Sequence, residues 1–191
     1  MSKLRSILIV TIAVVFAVVL CLCVHEGGHA VAAKLLSRPI YSITFAPGLQ
    51  LYPELKRVPW NGSFLGKVDL GEMSASWQTG LIRLMGCGTT ALLSYGMIGA
   101  VFYMAKTRRM TVAILRITAT VFAWDILTYS VMPEFGLPHF IFFGGSVQEP
   151  VEAAQLLGVP LPLFWTLLAL HAVGFHILLR KIGRHITHDA T

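Results

Sequence analysis

Charge is what this sequence has least of. Only 13% of its 191 residues are Asp, Glu, Lys or Arg, while 55% are apolar and the mean hydropathy is +0.72. Soluble domains carry about 25% charged residues, so a water-soluble core is excluded and a polytopic membrane protein is expected. Cysteine is also scarce. Cys21, Cys23 and Cys87 all fall in apolar segments, which excludes a disulfide framework. Acidic residues number nine against fifteen basic ones, giving a formal charge of +6. The basic excess lies near the ends of the apolar runs, as membrane anchoring requires, and does not argue for nucleic-acid binding. Internal repeats and low-complexity segments are absent.

The first apolar run follows Lys3 and Arg5 in the manner of a signal peptide, and Cys21 superficially suggests a lipoprotein cleavage site. Neither reading fits. The residue before Cys21 is Leu20 rather than a small one, and the run exceeds signal-peptide length. One long membrane helix is expected over residues 6–36, with further spans over 80–105, 111–132 and 161–179. Residues 37–77 are polar and punctuated by Pro39, Pro47, Pro53 and Pro59. Within them residues 41–45 alternate like a strand and 64–70 supply a second, so a small β-hairpin or extended segment at the membrane surface is expected. The fold class is thus an all-α polytopic membrane protein of about four transmembrane helices, forming one domain over 1–191. Lys106, Arg108 and Arg109 read as a short basic loop, residues 139–160 as a loop containing Glu149 and Glu152, and Arg180, Lys181 and Arg184 as a basic tail. By the positive-inside rule both termini lie in the cytoplasm.

Inside the first span stands His25-Glu26-Gly27-Gly28-His29, an H-E-x-x-H pattern. Histidines four residues apart fall about 40° apart on a helix, so both imidazoles can reach one Zn²⁺. Glu26 is then placed beside the metal, where it can take a proton from a metal-activated water and pass it to a leaving amine. A five-residue pattern also arises by chance. Here, however, each ionisable group costs about 2.5–3.5 kcal/mol in a membrane helix, which weighs against an idle cluster.

Residues 25–48, from His25-Glu-Gly-Gly-His-Ala-Val-Ala-Ala-Lys-Leu-Leu through Ser-Arg-Pro-Ile-Tyr-Ser-Ile-Thr-Phe-Ala-Pro-Gly48, resemble the site-2-protease type of intramembrane zinc metallopeptidase, the M50 family, and particularly its compact M50B-like branch. The resemblance implies a zinc endopeptidase acting on membrane-embedded or membrane-adjacent protein segments within the lipid bilayer. It also implies an extended segment that pairs with unfolded substrate. A glycine-rich stretch of the second core helix, matched by Gly86-Cys-Gly-Thr-Thr90 with Gly96 and Gly99, would pack on the zinc helix. The family's Asn-Pro-x-x-Asp-Gly or Leu-Asp-Gly signature around the third ligand is absent, as is the asparagine often found in the second helix.

The third ligand is therefore sought by depth. Asp125 lies fourteen residues beyond Thr111, about 21 Å along the axis, on the same side of the membrane as the histidines. A carboxylate there needs a cation, another charge or water, which makes Asp125 the expected ligand with His25 and His29. Competitors are His171 near mid-membrane, Glu134 just beyond the third span, and Cys21, which shares the histidine face at i, i+4 and i+8. Arg116 is near enough to its helix start to snorkel. Two other readings stand beside the peptidase: a non-catalytic metal carrier or sensor, against which Glu26 argues, and a CAAX-type protease, disfavoured by the short chain and the residues after His29.

Overall fold

The structure, a computed structural model, describes residues 3–104, 109–139 and 144–188. Free of proline, the first apolar run forms one unbroken helix, α1 (Lys3–Leu35), that passes through Gly27 and Gly28 without a break. Its small and polar residues Ala13, Ala17, Cys21, His25, His29 and Ala33 recur every four positions and are buried. The large apolar side chains Val15, Phe16 and Val19 point outward and are exposed. This inversion suits a helix whose other solvent is lipid, because small residues let backbones approach while bulky ones meet acyl chains. Backbone bonds from Ser37 to Lys34 and from Arg38 to Ala33 close the helix just before Pro39.

The polar stretch that follows folds as four antiparallel strands: β1 (Ser42–Phe45), β2 (Leu49–Tyr52), β3 (Lys56–Arg57) and β4 (Gly66–Asp69), in the order β3-β2-β1-β4. The expected pairing of the segments around 41–45 and 64–70 is present, with Ser42 opposite Asp69 and Phe45 opposite Gly66. The sheet is larger than a hairpin because Gly48, at φ 87°, turns the chain back into β2. Val68 and Leu70 then pack on Ala32, Ala33 and Ile82 and seat the sheet against the helices.

Ser76 caps the next helix through a bond from the Thr79 amide to its hydroxyl, and α2 (Trp77–Met104) leads to α3 (Arg109–Val131). A 3-10 turn over Met132–Phe135 follows, closed by Gly136 in the left-handed region. Residues 139–160 are not merely a loop, since they contain α4 (Glu149–Leu156). Pro150 starts that helix at a position where its missing N–H costs nothing. The last helix, α5 (Leu161–His188), runs well past 179, so Arg180 and Lys181 belong to it and not to a tail. Lys106 and Arg108 of the expected basic loop lie outside the described residues.

Four helices are long and apolar enough to cross a membrane: the one over Lys3–Leu35, the one over Trp77–Met104, and the segments Met110–Phe135 and Leu161–Gly183. Ile98, Val101, Ala119, Ala123, Phe175 and Ile182 knit α2, α3 and α5 together. The short α4 packs Val151 and Ala154 against Phe164 and Leu168 of α5. Its first residue thereby comes to lie over α1.

Candidate metal centre

Close approach of α1 and α2 comes first. A Cβ on Gly28 would sit 2.1 Å from the Met85 carbonyl oxygen, so only glycine lets the helices cross at this point. One residue on, Gly86 faces the histidines. A Cβ there would lie 2.4 Å from His29 Nε2 and 2.7 Å from His25 Nε2. The glycine stretch of α2 thus keeps open the space where both ring nitrogens meet.

Each ring is held at its other nitrogen. His29 Nδ1–H donates to the Ile82 carbonyl at 2.7 Å, and His25 Nδ1–H donates to Asp125 Oδ2 at 2.8 Å. The same carboxylate oxygen accepts from Thr90 Oγ1 at 2.7 Å. A carbonyl can only accept, so Nδ1 of His29 carries the proton, and the Asp125 carboxylate fixes His25 in the same tautomer. Both Nε2 atoms are then turned to the same place, as metal-binding imidazoles require.

The third group at that place is Glu149, the first residue of α4. Its Oε2 lies 3.5 Å from His25 Nε2 and 3.4 Å from His29 Nε2. A carboxylate and two ring nitrogens brought together need positive charge among them, either as protons or as a metal cation. Protons and a cation favour different spacings. Charge-assisted hydrogen bonds would draw the atoms in to about 2.7–2.9 Å. Ligands about 2.0–2.1 Å from a tetrahedral ion stand about 3.3–3.4 Å apart, which is the edge of the tetrahedron. The observed separations match the edge. Glu149 Oε2, although buried, makes no hydrogen bond of its own. Among the described residues, His25, His29 and Glu149 form a group that could hold a metal ion.

The expectation that Asp125 joins His25 and His29 on one ion does not match this geometry. Asp125 meets His25 at Nδ1, not at the nitrogen shared with His29, and its distance is that of a hydrogen bond. Axial depth placed Asp125 at the right height, but height does not fix which side of a ring a residue reaches. The triplet of His25, Cys87 and Asp125 is likewise close-set, yet it is built around this same hydrogen bond, with Cys87 Sγ 3.8 Å from Nδ1. His171 is engaged elsewhere: it accepts from the Tyr95 hydroxyl at 3.0 Å and donates to the Ala123 carbonyl at 2.9 Å. Glu134 is exposed on the 3-10 turn, and Cys21 is buried on the histidine face.

Glu26 is buried beside this cluster and borders a cavity of about 350 Å³. The strand β4 forms one wall. A Cβ on Gly66 would lie 2.6 Å from Glu26 Cγ, so glycine here lets the strand and the carboxylate come together. Tyr41 and Ala46 of the β1 side bond to the carbonyls of Asp69 and Leu65. By antiparallel alternation Gly66 and Val68 therefore turn their N–H and C=O groups to the other edge, where, among the described residues, the sheet has no further strand.

Three residues were not singled out from the sequence as parts of this site. Glu149 is the first, held in place because Arg83 of α2 pairs with Glu152 one turn further along α4. Tyr129 stacks on His25 at 4.4 Å and His139 stacks on Tyr129 at 3.8 Å. His139 Nε2–H donates to the Val147 carbonyl at 2.7 Å, and burial lowers its pKa below the ordinary histidine value. Tyr129 was findable, since it lies one helical turn after Asp125. Comparison of the chain with protein-family models, curated proteins and solved structures finds no match.

Proposed function

We propose that this protein is an intramembrane zinc metallopeptidase of the site-2-protease, M50B-like type. It would hydrolyse peptide bonds of membrane-embedded or membrane-adjacent protein segments. The observation that carries the reading is the approach of Glu149 Oε2 to His25 Nε2 at 3.5 Å and to His29 Nε2 at 3.4 Å, next to a buried Glu26. Zinc bound there supplies a Lewis acid that acidifies water and polarises a carbonyl. His25, His29 and Glu149 would hold the ion, with Asp125 and Ile82 fixing the ring orientations. Glu26 accepts the proton of the attacking water and delivers it to the leaving nitrogen as the C–N bond breaks.

Substrate presentation falls to β4. A helical segment shields its amides by internal hydrogen bonds, so it must be extended before it can be cut. The free groups of Gly66 and Val68 offer such a segment an antiparallel partner directly above Glu26. Lys3, Arg5, Arg180 and Lys181 all lie at the opposite end of the bundle, and the positive-inside rule supports a reading in which that end is cytoplasmic and the cavity opens towards the outer face.

The test is cleavage of a single-span peptide by the reconstituted protein, with products sequenced and bound metal measured. Glu26→Gln should abolish cleavage and keep the metal. Retention of metal together with the absence of any cleavage in the wild type, across a peptide library, would favour a carrier or sensor instead.

A further inference from the structure

A second site lies at the other end of the bundle. Between α1, α3 and α5 runs a groove of about 470 Å³, walled by Val14, Ile117, Val121 and Leu179 and containing Arg116. Arg116 stands nine residues before Asp125, about 13 Å along α3, so the groove is separate from the metal centre. It is also seven residues past the start of α3 at Arg109, about 10 Å in from the helix end.

Among the described residues no acidic side chain forms an ion pair with Arg116. Its Nε is buried without a hydrogen-bond partner among the described residues, and its Nη2 reaches towards α5, where a Cβ on Gly183 would lie 3.6 Å away. A buried guanidinium donor without a protein acceptor is costly at this depth and calls for one. The groove around it is apolar and open along its length. The chemistry that satisfies both features is one molecule with an anionic phosphate and an acyl chain. The geometry points to a binding site for one anionic phospholipid, its phosphate on Arg116 and its chain along Val14, Ile117, Val121 and Leu179.

Arginine suits this role because its planar fork offers paired donors to phosphate oxygens. The neighbourhood has the matching charge: Lys3 and Arg5 on α1 and Arg180 and Lys181 on α5 are exposed at the same end. Such clusters attract anionic headgroups to the surface, from which one lipid can lower its phosphate into the groove. The bound lipid would also fill the gap between α1 and α5 along α3.

Native mass spectrometry of the full-length protein in non-ionic detergent tests this, titrating dioleoyl phosphatidylglycerol, dioleoyl phosphatidylcholine and inorganic phosphate separately. The wild type should bind one phosphatidylglycerol about tenfold more tightly than phosphatidylcholine, the scale of one charge-assisted pair. Arg116→Gln should lose that preference, and Arg116→Lys should keep part of it. Val14→Trp, which fills the groove and spares the charge, should weaken both lipids. Inorganic phosphate should not displace phosphatidylglycerol. Equal binding of the two lipids by the wild type would overturn the proposal, as would an undiminished preference in Arg116→Gln or full displacement by inorganic phosphate. Should Arg116→Gln not fold, the wild-type lipid comparison and the other two variants still decide.

Discussion

Asp125 and Glu149 exchange roles depending on whether depth or geometry is followed, and a paired substitution separates them. With Asp125 as the support of His25, Asp125→Asn leaves an amide oxygen able to accept from His25 Nδ1–H at the present 2.8 Å. What is lost is the charge on the acceptor. A hydrogen bond to a charged group contributes about 1.5–3 kcal/mol and a neutral one about 0.5–1.5, so the change costs about 1–1.5 kcal/mol, or roughly tenfold in zinc affinity. Asp125→Ala goes further. His25 is only 2% exposed, so water does not replace the lost partner. Thr90 keeps its bond to the Cys87 carbonyl at 2.8 Å, while His25 Nδ1–H is left with only the weak acceptor Cys87 Sγ at 3.8 Å. One stranded buried donor costs about 1–3 kcal/mol, bringing the loss to roughly 10–100-fold, typical of a residue behind a ligand. Glu149→Ala instead removes one of the three proposed protein ligands, and zinc binding should fall below detection. The assay is competition against a chromophoric chelator in detergent, with helix content checked by circular dichroism. Full zinc loss in Asp125→Ala beside wild-type affinity in Glu149→Ala would refute the assignment.

Gly86→Ala should eliminate metal binding while leaving the bundle helical, because the added methyl occupies the meeting point of the two Nε2 atoms; metal content of the purified variant checks this. In Gly66→Val the strand is pushed off Glu26, so peptide cleavage should drop by at least about tenfold with the metal retained, as read by product formation and metal content together. His171→Phe removes bonds to Tyr95 and Ala123 that tie α5 to α2 and α3; a loss of about 1–2 kcal/mol in unfolding free energy and an unchanged metal content are expected.

Much of the architecture was legible because the bilayer makes apolar length itself informative. The four long apolar runs became four long helices, and the alternation at residues 41–45 became β1. The boundary of α5 was less legible, since a cationic helical turn such as Arg180-Lys181 reads equally as the end of a span or as its continuation into water. His25, Glu26 and His29 were legible because a helix fixes their mutual geometry at short range. Glu149 was not, because its position depends on α4 docking against α2 and α5 through Arg83, Glu152 and Phe164, contacts distant in sequence. A buried carboxylate at Asp125 demands a partner, but burial alone does not distinguish a metal from a histidine Nδ1–H.

The most direct test of the account is an anomalous-scattering measurement at the zinc absorption edge on crystals of the zinc-loaded protein. The account predicts one strong peak about 2.0–2.2 Å from His25 Nε2, His29 Nε2 and a Glu149 carboxylate oxygen, with Asp125 still on His25 Nδ1. A peak bound to Asp125 with Glu149 turned away, or no peak between the histidines, would contradict it.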